Sequence, residues 1–339
     1  MLKIEKNKNL IPLTTLKIGA PAEFFVVIKS RQDLSEAINW AQKNKQEISI
    51  LGGGSNILIS RKIKGLVLKN EIKGIAVKRT DASSVIIEAK SGENWTHLVN
   101  FSVERGLSGL ENLFLIYGTV GAAPIQNIGA YGVELKDVFY SLTAIDLRTG
   151  QEKVFKSAAC RFGYRDSIFK NKLKGRYFIY SVAVKLSRKP KLRLDYDSLR
   201  AKLKEQGVKK PTSKDVISAI TAIRSSKLPN PGVLPNAGSF FKNVETSLAV
   251  YHKLSKKYPN LPFCPVSAAR VKIPAAWLIE NAGFKGRKFG PVGMHDTQAL
   301  ILVNYGGASA KQAGVLIKKI KLGVKNKFGL DLEEEVNII

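Results

Sequence analysis

The chain has 339 residues, 44% of them hydrophobic, and sets 55 Lys and Arg against 27 Asp and Glu for a formal net charge of +28. That apolar content is enough for two or three domains with real cores and excludes a disordered chain. The two cysteines, Cys160 and Cys264, and the histidines at 97, 252 and 295 have no neighbours at metal-ligand spacing, which argues against zinc. No apolar run reaches bilayer length, and Met1-Leu2-Lys3-Ile4-Glu5-Lys6 is charged where an export signal needs an apolar segment, so a cytoplasmic location is expected. A charge this positive steers a protein toward nucleic acid or anionic lipid. The lysines, however, run from end to end and are neither gathered into one arm nor interleaved with stacking aromatics. Composition bias is therefore the reading, with no stable nucleic-acid or membrane partner expected, and the charge also suits a substrate that carries phosphates.

The elements alternate along the chain. Ser30-Arg31-Gln32-Asp33 predicts the cap of a helix running through Ala37, Ile38 and Ala41, and Ile48 to Leu51 reads as a strand, an α/β pattern closing near residue 68. Val85 to Ala89 reads as a strand, Trp95 to Glu104 as a helix stopped by Gly106, and Val138 to Leu147 and Phe178 to Leu186 as further strands of a mixed second unit. Polar, lysine-rich residues Ala201 to Lys214 predict a surface connection, followed by a helix over Asp215 to Ser225 and the turn Leu228-Pro229-Asn230-Pro231-Gly232. In the third unit, Ser309-Ala310-Lys311-Gln312 introduces a helix whose Ala313, Leu316, Ile317, Ile320 and Val324 share one face.

Two glycine-rich segments stand out. Leu51-Gly52-Gly53-Gly54-Ser55-Asn56 joins the strand at Ile48 to the apolar Ile57-Leu58-Ile59, and Gly118 to Gly132 packs small residues into a stretch that reads as too irregular for a helix or a strand. Such loops let backbone N–H groups approach a large anionic cofactor, and the pair suggests a dinucleotide. A tight hairpin remains the alternative for either loop alone. A nicotinamide-binding βαβ unit is excluded, because Gly52-Gly53-Gly54-Ser55-Asn56-Ile57 lacks the third glycine and leads into a strand.

Seven segments in order make the assignment specific. They are Gly52-Gly53-Gly54-Ser55-Asn56, Gly92-Glu93-Asn94-Trp95, Gly109-Leu110-Glu111-Asn112-Leu113, Gly118 to Gly132, Cys160 to Lys170, Asn236 to Asn243 and Trp277-Leu278-Ile279-Glu280. On them the chain resembles the UDP-N-acetylenolpyruvoylglucosamine reductase family over almost its whole length, and Tyr196 resembles the mark of the branch with an inserted, substrate-closing segment. The resemblance implies an α+β fold with a two-part FAD-binding region of the vanillyl-alcohol-oxidase type and a separate α+β substrate-binding domain. On this basis residues 1–68 form the first FAD-binding subdomain, 69–223 the second with the inserted segment, and 224–339 the substrate-binding domain, with the last residues returning to the FAD region. The implied enzyme is a cytoplasmic, monomeric flavoprotein that reduces an enolpyruvyl ether with NADPH, completing UDP-N-acetylmuramate for peptidoglycan.

The implied chemistry adds hydride to the terminal carbon and a proton to its neighbour, whose charge is shared with the attached carboxylate. By resemblance, Ser239 is the proton donor, and Arg165 and Glu335 serve the substrate carboxylate and enolic carbon. The planar fork of Arg165 matches a carboxylate, with an ion pair to Asp166 as its alternative role, and Glu335 in Leu332-Glu333-Glu334-Glu335-Val336 has a solvated acidic edge as its alternative. Tyr196, Lys227, Asn243 and Gln298 are implied at the UDP-sugar. FAD is implied at Gly52, Gly53, Gly54, Ser55 and Asn56 for the pyrophosphate, and beside it at Gly118, Gly121, Ala122, Gln126, Asn127, Ile128 and Gly132. The chain departs from the family at Tyr117 (usually proline), Ala122-Ala123 (more often serines), Thr14-Thr15-Leu16-Lys17, Glu334 and Asn337. Two rivals remain: a basic nucleic-acid-binding module, and an oxidase on the same scaffold with covalent flavin. For the latter, His97 in Trp95-Thr96-His97 reads as a helix-surface residue rather than an attachment point.

Overall fold

Short-range caps and long-range pairing divide the work of building this chain, seen in a computed structural model that describes residues 2–339. Two compact units result. The first holds the segment ending at Lys8, Ala22–Gly54 and Ile63–Ser226; the second holds Asn9–Pro21, Ser55–Lys62 and Lys227–Ile339. Residue 68, the expected boundary, lies inside the first unit, whereas two segments of residues 1–68, Asn9–Pro21 and Ser55–Lys62, belong to the second.

The first unit contains two larger sheets beside the short antiparallel pair Gly129–Ala130 and Val133–Glu134. One has the order Glu5–Asn9, Pro21–Ile28, Ile63–Asn70, Ile48–Leu51, the last three strands being mutually parallel. Parallel neighbours need a crossover, and the helix Arg31–Lys43 supplies it. Ser30 Oγ accepts from Asp33 N at 3.0 Å while the Asp33 carboxylate accepts from Ser30 N at 3.0 Å, closing the predicted capping box. Leu34, Ala37, Ile38 and Ala41 then pack on Val26, Ile28, Leu66 and Leu68. The strand Ile48–Leu51 delivers Gly52 at its carboxyl end, the end at which open parallel sheets bind ligands. Its neighbour in sequence, Ile57–Leu58, pairs with Asn337–Ile338 instead, so the glycine loop is not a hairpin turn.

The other sheet is antiparallel, ordered Glu152–Lys156, Phe139–Asp146, Tyr177–Ser187, Ser84–Lys90, Ile75–Thr80. Ile87, Leu142 and Val182 from it share a core with Trp95 and Leu98 of the helix Trp95–Val103 and with Leu199 and Ile220 of Asp197–Glu205 and Ser213–Lys227. The predicted surface connection from Ala201 is therefore helical through Glu205, because Leu199 and Leu203, one turn apart, are both buried.

In the second unit the sheet Asn236–Ser239, Ile301–Asn304, Val292–Met294, Lys288–Phe289 is antiparallel throughout. A second, three-stranded sheet joins Val244–Ser247, Arg270–Ile273 and Cys264–Ser267. The helix Ala310–Phe328 has the predicted Ser309–Gln312 capping box, ends at Gly329 with φ +70°, and buries all five predicted core residues. Leu16 and Ile18, far away in sequence, are completely buried in the same core, and Asn304 Nδ2 holds their segment by donating to Leu16 O at 3.0 Å. Among the described residues no helix is long and apolar enough to cross a membrane.

Candidate active site

Two glycine loops of the first unit lie against each other so closely that side chains are excluded. A Cβ on Gly52 would sit 2.8 Å from Thr119 Oγ1, and one on Gly53 would sit 3.0 Å from Gly118 Cα. The second loop is pinned from behind, since Trp95 N donates to Gly118 O at 3.1 Å, Val120 N to Glu93 O at 2.9 Å and Gly121 N to Ser91 O at 2.9 Å. Lys69 Nζ donates to Gly52 O, and burial, opposed by Glu71, pulls the Lys69 ammonium below its usual range. The outcome is a glycine-lined backbone surface flanked by Thr119, with a lysine behind it, which fits the pyrophosphate of a dinucleotide.

Farther along the loop the expected residues separate by role. Ala122 is exposed, Gln126 half-buried and Ile128 buried. Asn127 is completely buried at φ +45°, and its amide donates 3.0 Å bonds to both Glu134 Oε2 and Gly163 O while accepting from Lys136 N at 2.9 Å. Both N–H groups of that side chain are thus committed to protein, and Asn127 works as a clamp. The segment it clamps carries Arg165, which sits at φ +50° in a tight turn closed by Gly163 N donating to Asp166 O at 3.0 Å. Ser167 Oγ, donating to Ile125 O at 2.7 Å, and Arg165 Nη2, donating to Gly129 O at 2.5 Å, fasten the turn to the same loop.

Tyr196 stands just before the helix Asp197–Glu205, half-exposed, with its ring edge-on to Tyr131 at 5.4 Å. The Tyr131 hydroxyl is hydrogen-bonded to Arg224, with Tyr117 also near that guanidinium. Burial raises the Tyr131 phenol above its ordinary value against the pull of Arg224, and lowers Arg224 against the two phenols. Arg224 was not among the residues expected from the sequence. Its signal was position, four residues after buried Ile220 on the helix Ser213–Lys227.

The second unit assembles the remaining candidates by backbone pairing. A bulge between Asn236 and Ser239, with Gly238 at φ +71°, ends the strand so that Ser239 is exposed while Phe240 and Phe241 are fully buried, ring edge to face at 5.3 Å. Ser239 pairs with Ile301 and Phe240 N donates to Leu300 O at 2.9 Å, which sets the turn containing Gln298 beside it. Thr297 Oγ1 donates to Lys227 O at 3.3 Å, bringing the exposed Lys227 to that turn. Glu335 N donates to Phe240 O at 2.9 Å, and Asn56 Nδ2 donates to Glu335 O at 3.3 Å. The neighbouring acids are ion-paired, Glu333 with Lys242 at 2.5 Å and Glu334 with Lys321 at 2.8 Å. Asn243 is engaged differently: its Oδ1 accepts from Ala275 N at 3.1 Å at the start of the helix Ala275–Asn281. His97 is exposed on its helix with Nδ1 2.9 Å from Glu93 Oε1.

Comparison with known proteins finds two family domains in the chain. Residues 22–155 match the FAD binding domain family, and residues 230–339 match the UDP-N-acetylenolpyruvoylglucosamine reductase C-terminal domain family. The chain is 45% identical over 337 residues to the UDP-N-acetylenolpyruvoylglucosamine reductase of Pseudomonas aeruginosa, covering 99% of each. It is 42% identical over 339 residues to that of Flavobacterium johnsoniae, covering 100% of each. In fold it is similar to the solved UDP-N-acetylenolpyruvylglucosamine reductase of Thermus caldophilus, with a TM-score of 0.69, 22% identity, and coverage of 100% of this chain and 99% of that one. It is more distantly similar to the 6-hydroxy-D-nicotine oxidase of Arthrobacter nicotinovorans, with a TM-score of 0.50, 13% identity, and coverage of 98% of this chain and 87% of that one.

Proposed function

The chain belongs to the UDP-N-acetylenolpyruvoylglucosamine reductase family and carries its FAD-binding domain, and from this premise we propose that it reduces UDP-N-acetylenolpyruvoylglucosamine to UDP-N-acetylmuramate with NADPH, in the cytoplasm and as a monomer. FAD, when bound, supplies the group that accepts and returns the hydride. Backbone N–H groups of Gly52, Gly53 and Gly54 would hold its pyrophosphate together with Ser55 and Asn56, with Gly118, Gly121, Ala122, Gln126, Ile128 and Gly132 alongside; Asn127 acts by fixing that loop. We assign FAD binding to residues 1–68 and 69–223, and substrate binding to 224–339.

The observation that carries the catalytic reading is the exposed Ser239 on a Gly238 bulge, backed by two buried phenylalanines, with Glu335 hydrogen-bonded through its backbone to the next residue. Reduction places hydride on the methylene carbon and a proton on the carbon bearing the carboxylate. Ser239 Oγ gives that proton, and the guanidinium of Arg165 pairs with the carboxylate as charge builds there. Glu335 supports the enolic carbon. Tyr196, braced by Tyr131, closes on the diphosphate, toward which Lys227 adds a point charge; Gln298 and Asn243 complete the contacts, Asn243 through the helix start that it also caps.

Stopped-flow comparison of Ser239→Ala with the parent tests this assignment. Flavin reduction by NADPH should persist, and turnover of the enolpyruvyl substrate should fall by about 10²–10⁴-fold, the usual contribution of a general acid. Unchanged turnover removes Ser239 from the mechanism, and a colourless protein that cannot be reconstituted with FAD overturns the whole reading.

A further inference from the structure

The helix Ala310–Phe328 contains six lysines and no acidic residue. Its inner face is locked into the second unit's core by Ala313, Leu316, Ile317, Ile320 and Val324. At about 100° per residue, Lys311, Val315, Lys318, Lys319 and Leu322 fall within one outer sector of roughly 100°, and all five are exposed. Val315 is 48% and Leu322 61% exposed, two aliphatic side chains two turns apart in a row of cations. On the flanks, Lys321 is neutralised by Glu334 at 2.8 Å and Lys325 by Asp331 at 2.6 Å. Among the described residues no carboxylate pairs with Lys311, Lys318 or Lys319, and Lys319 Nζ lies 5.3 Å over the Phe289 ring, which leaves its charge intact.

We propose that this outer face adsorbs reversibly to an anionic phospholipid surface. A straight, rigid row that alternates ammonium groups with short aliphatic side chains matches the boundary between headgroup phosphates and acyl chains. The chain's formal charge of +28 supplies the long-range attraction. The face carries no aromatic side chain on which bases could stack, which favours lipid over single-stranded nucleic acid. Three cations and two small apolar groups make a weak, salt-sensitive contact, well short of the stable membrane partner that the sequence argued against.

The test is co-sedimentation of the purified, flavin-bound full chain with phosphatidylcholine vesicles, with and without phosphatidylglycerol, at low ionic strength. Binding should require phosphatidylglycerol. It should fall at least about tenfold in the triple variant Lys311→Glu, Lys318→Glu, Lys319→Glu, and measurably in Val315→Ser, Leu322→Ser. A comparator with the same charge change elsewhere, Lys204→Glu, Lys209→Glu, Lys210→Glu, should stay within about threefold of the parent. Retained flavin and reductase activity confirm that each variant is folded and keep this test separate from the proposed reaction. The proposal is overturned if phosphatidylglycerol vesicles do not bind, if the comparator loses as much as the helix variant, or if the aliphatic variant binds like the parent. Tighter binding to duplex DNA with the same dependence on the helix lysines likewise overturns it.

Discussion

At the scale of single residues, the tail acids show how one chemistry takes different roles by position. Glu333, exposed, and Glu334, half-buried, are each ion-paired with a lysine. Glu335 is half-buried and tied through its backbone to Phe240, next to Ser239. Glu335→Gln should therefore slow the enolpyruvyl half-reaction about a hundredfold while flavin reduction by NADPH continues, whereas Glu333→Gln should change neither. Equal loss of both half-reactions in Glu335→Gln would mark a folding defect and remove the assignment. Asn127 teaches the complementary lesson: a polar residue in a cofactor-binding motif can spend its whole side chain on the protein, leaving the ligand to the backbone that it holds.

At the scale of elements, the cofactor cradle depends on two loops whose backbones meet at Gly53 and Gly118. A methyl group at Gly53 would meet the Gly118 backbone, 3.0 Å from Cα and 3.4 Å from the carbonyl carbon, and backbone cannot rotate away. Gly53→Ala should spread the loops and strip flavin from the purified protein, read as a lower ratio of visible to protein absorbance. Gly150→Ala serves as the comparison, because Gly150 has open space around its missing Cβ and only its φ of +71° to strain, a penalty of about 1–2 kcal/mol. Flavin loss in Gly150→Ala alone would reverse this account of the cradle.

For the whole molecule, the decisive feature is the type of dinucleotide loop present. The glycine loop after Leu51 runs into the strand Ile57–Leu58 instead of a helix, so it lacks the helix-borne phosphate site of a nicotinamide-binding βαβ unit. NADPH and the UDP-sugar each carry a diphosphate and are proposed to use one set of cationic contacts in turn, NADPH leaving before the sugar binds. Initial-rate plots against both substrates should give parallel lines, with each substrate competing with the other at high concentration. Intersecting lines would report a ternary complex and exclude this order.

The sequence by itself determined the elements whose signals act over a few residues. Ser30 with Asp33 and Ser309 with Gln312 form the capping boxes read from their spacing, and the five apolar residues of the last long helix are all buried. The motif residues also named the family, since ordered short segments survive where pairwise geometry cannot be read. Tertiary structure alone decided which distant pieces meet. Lys242 and Glu333, 91 residues apart, are joined by pairing that also fixes Glu335 beside Phe240, and residues 9–21 and 55–62 are drawn into the second unit. Leu203 and Arg224 likewise escaped notice because burial on one helix is set by what other elements place against it. A cap is closed by neighbours within one turn, whereas these contacts form only once the intervening chain has folded, so no local pattern encodes them.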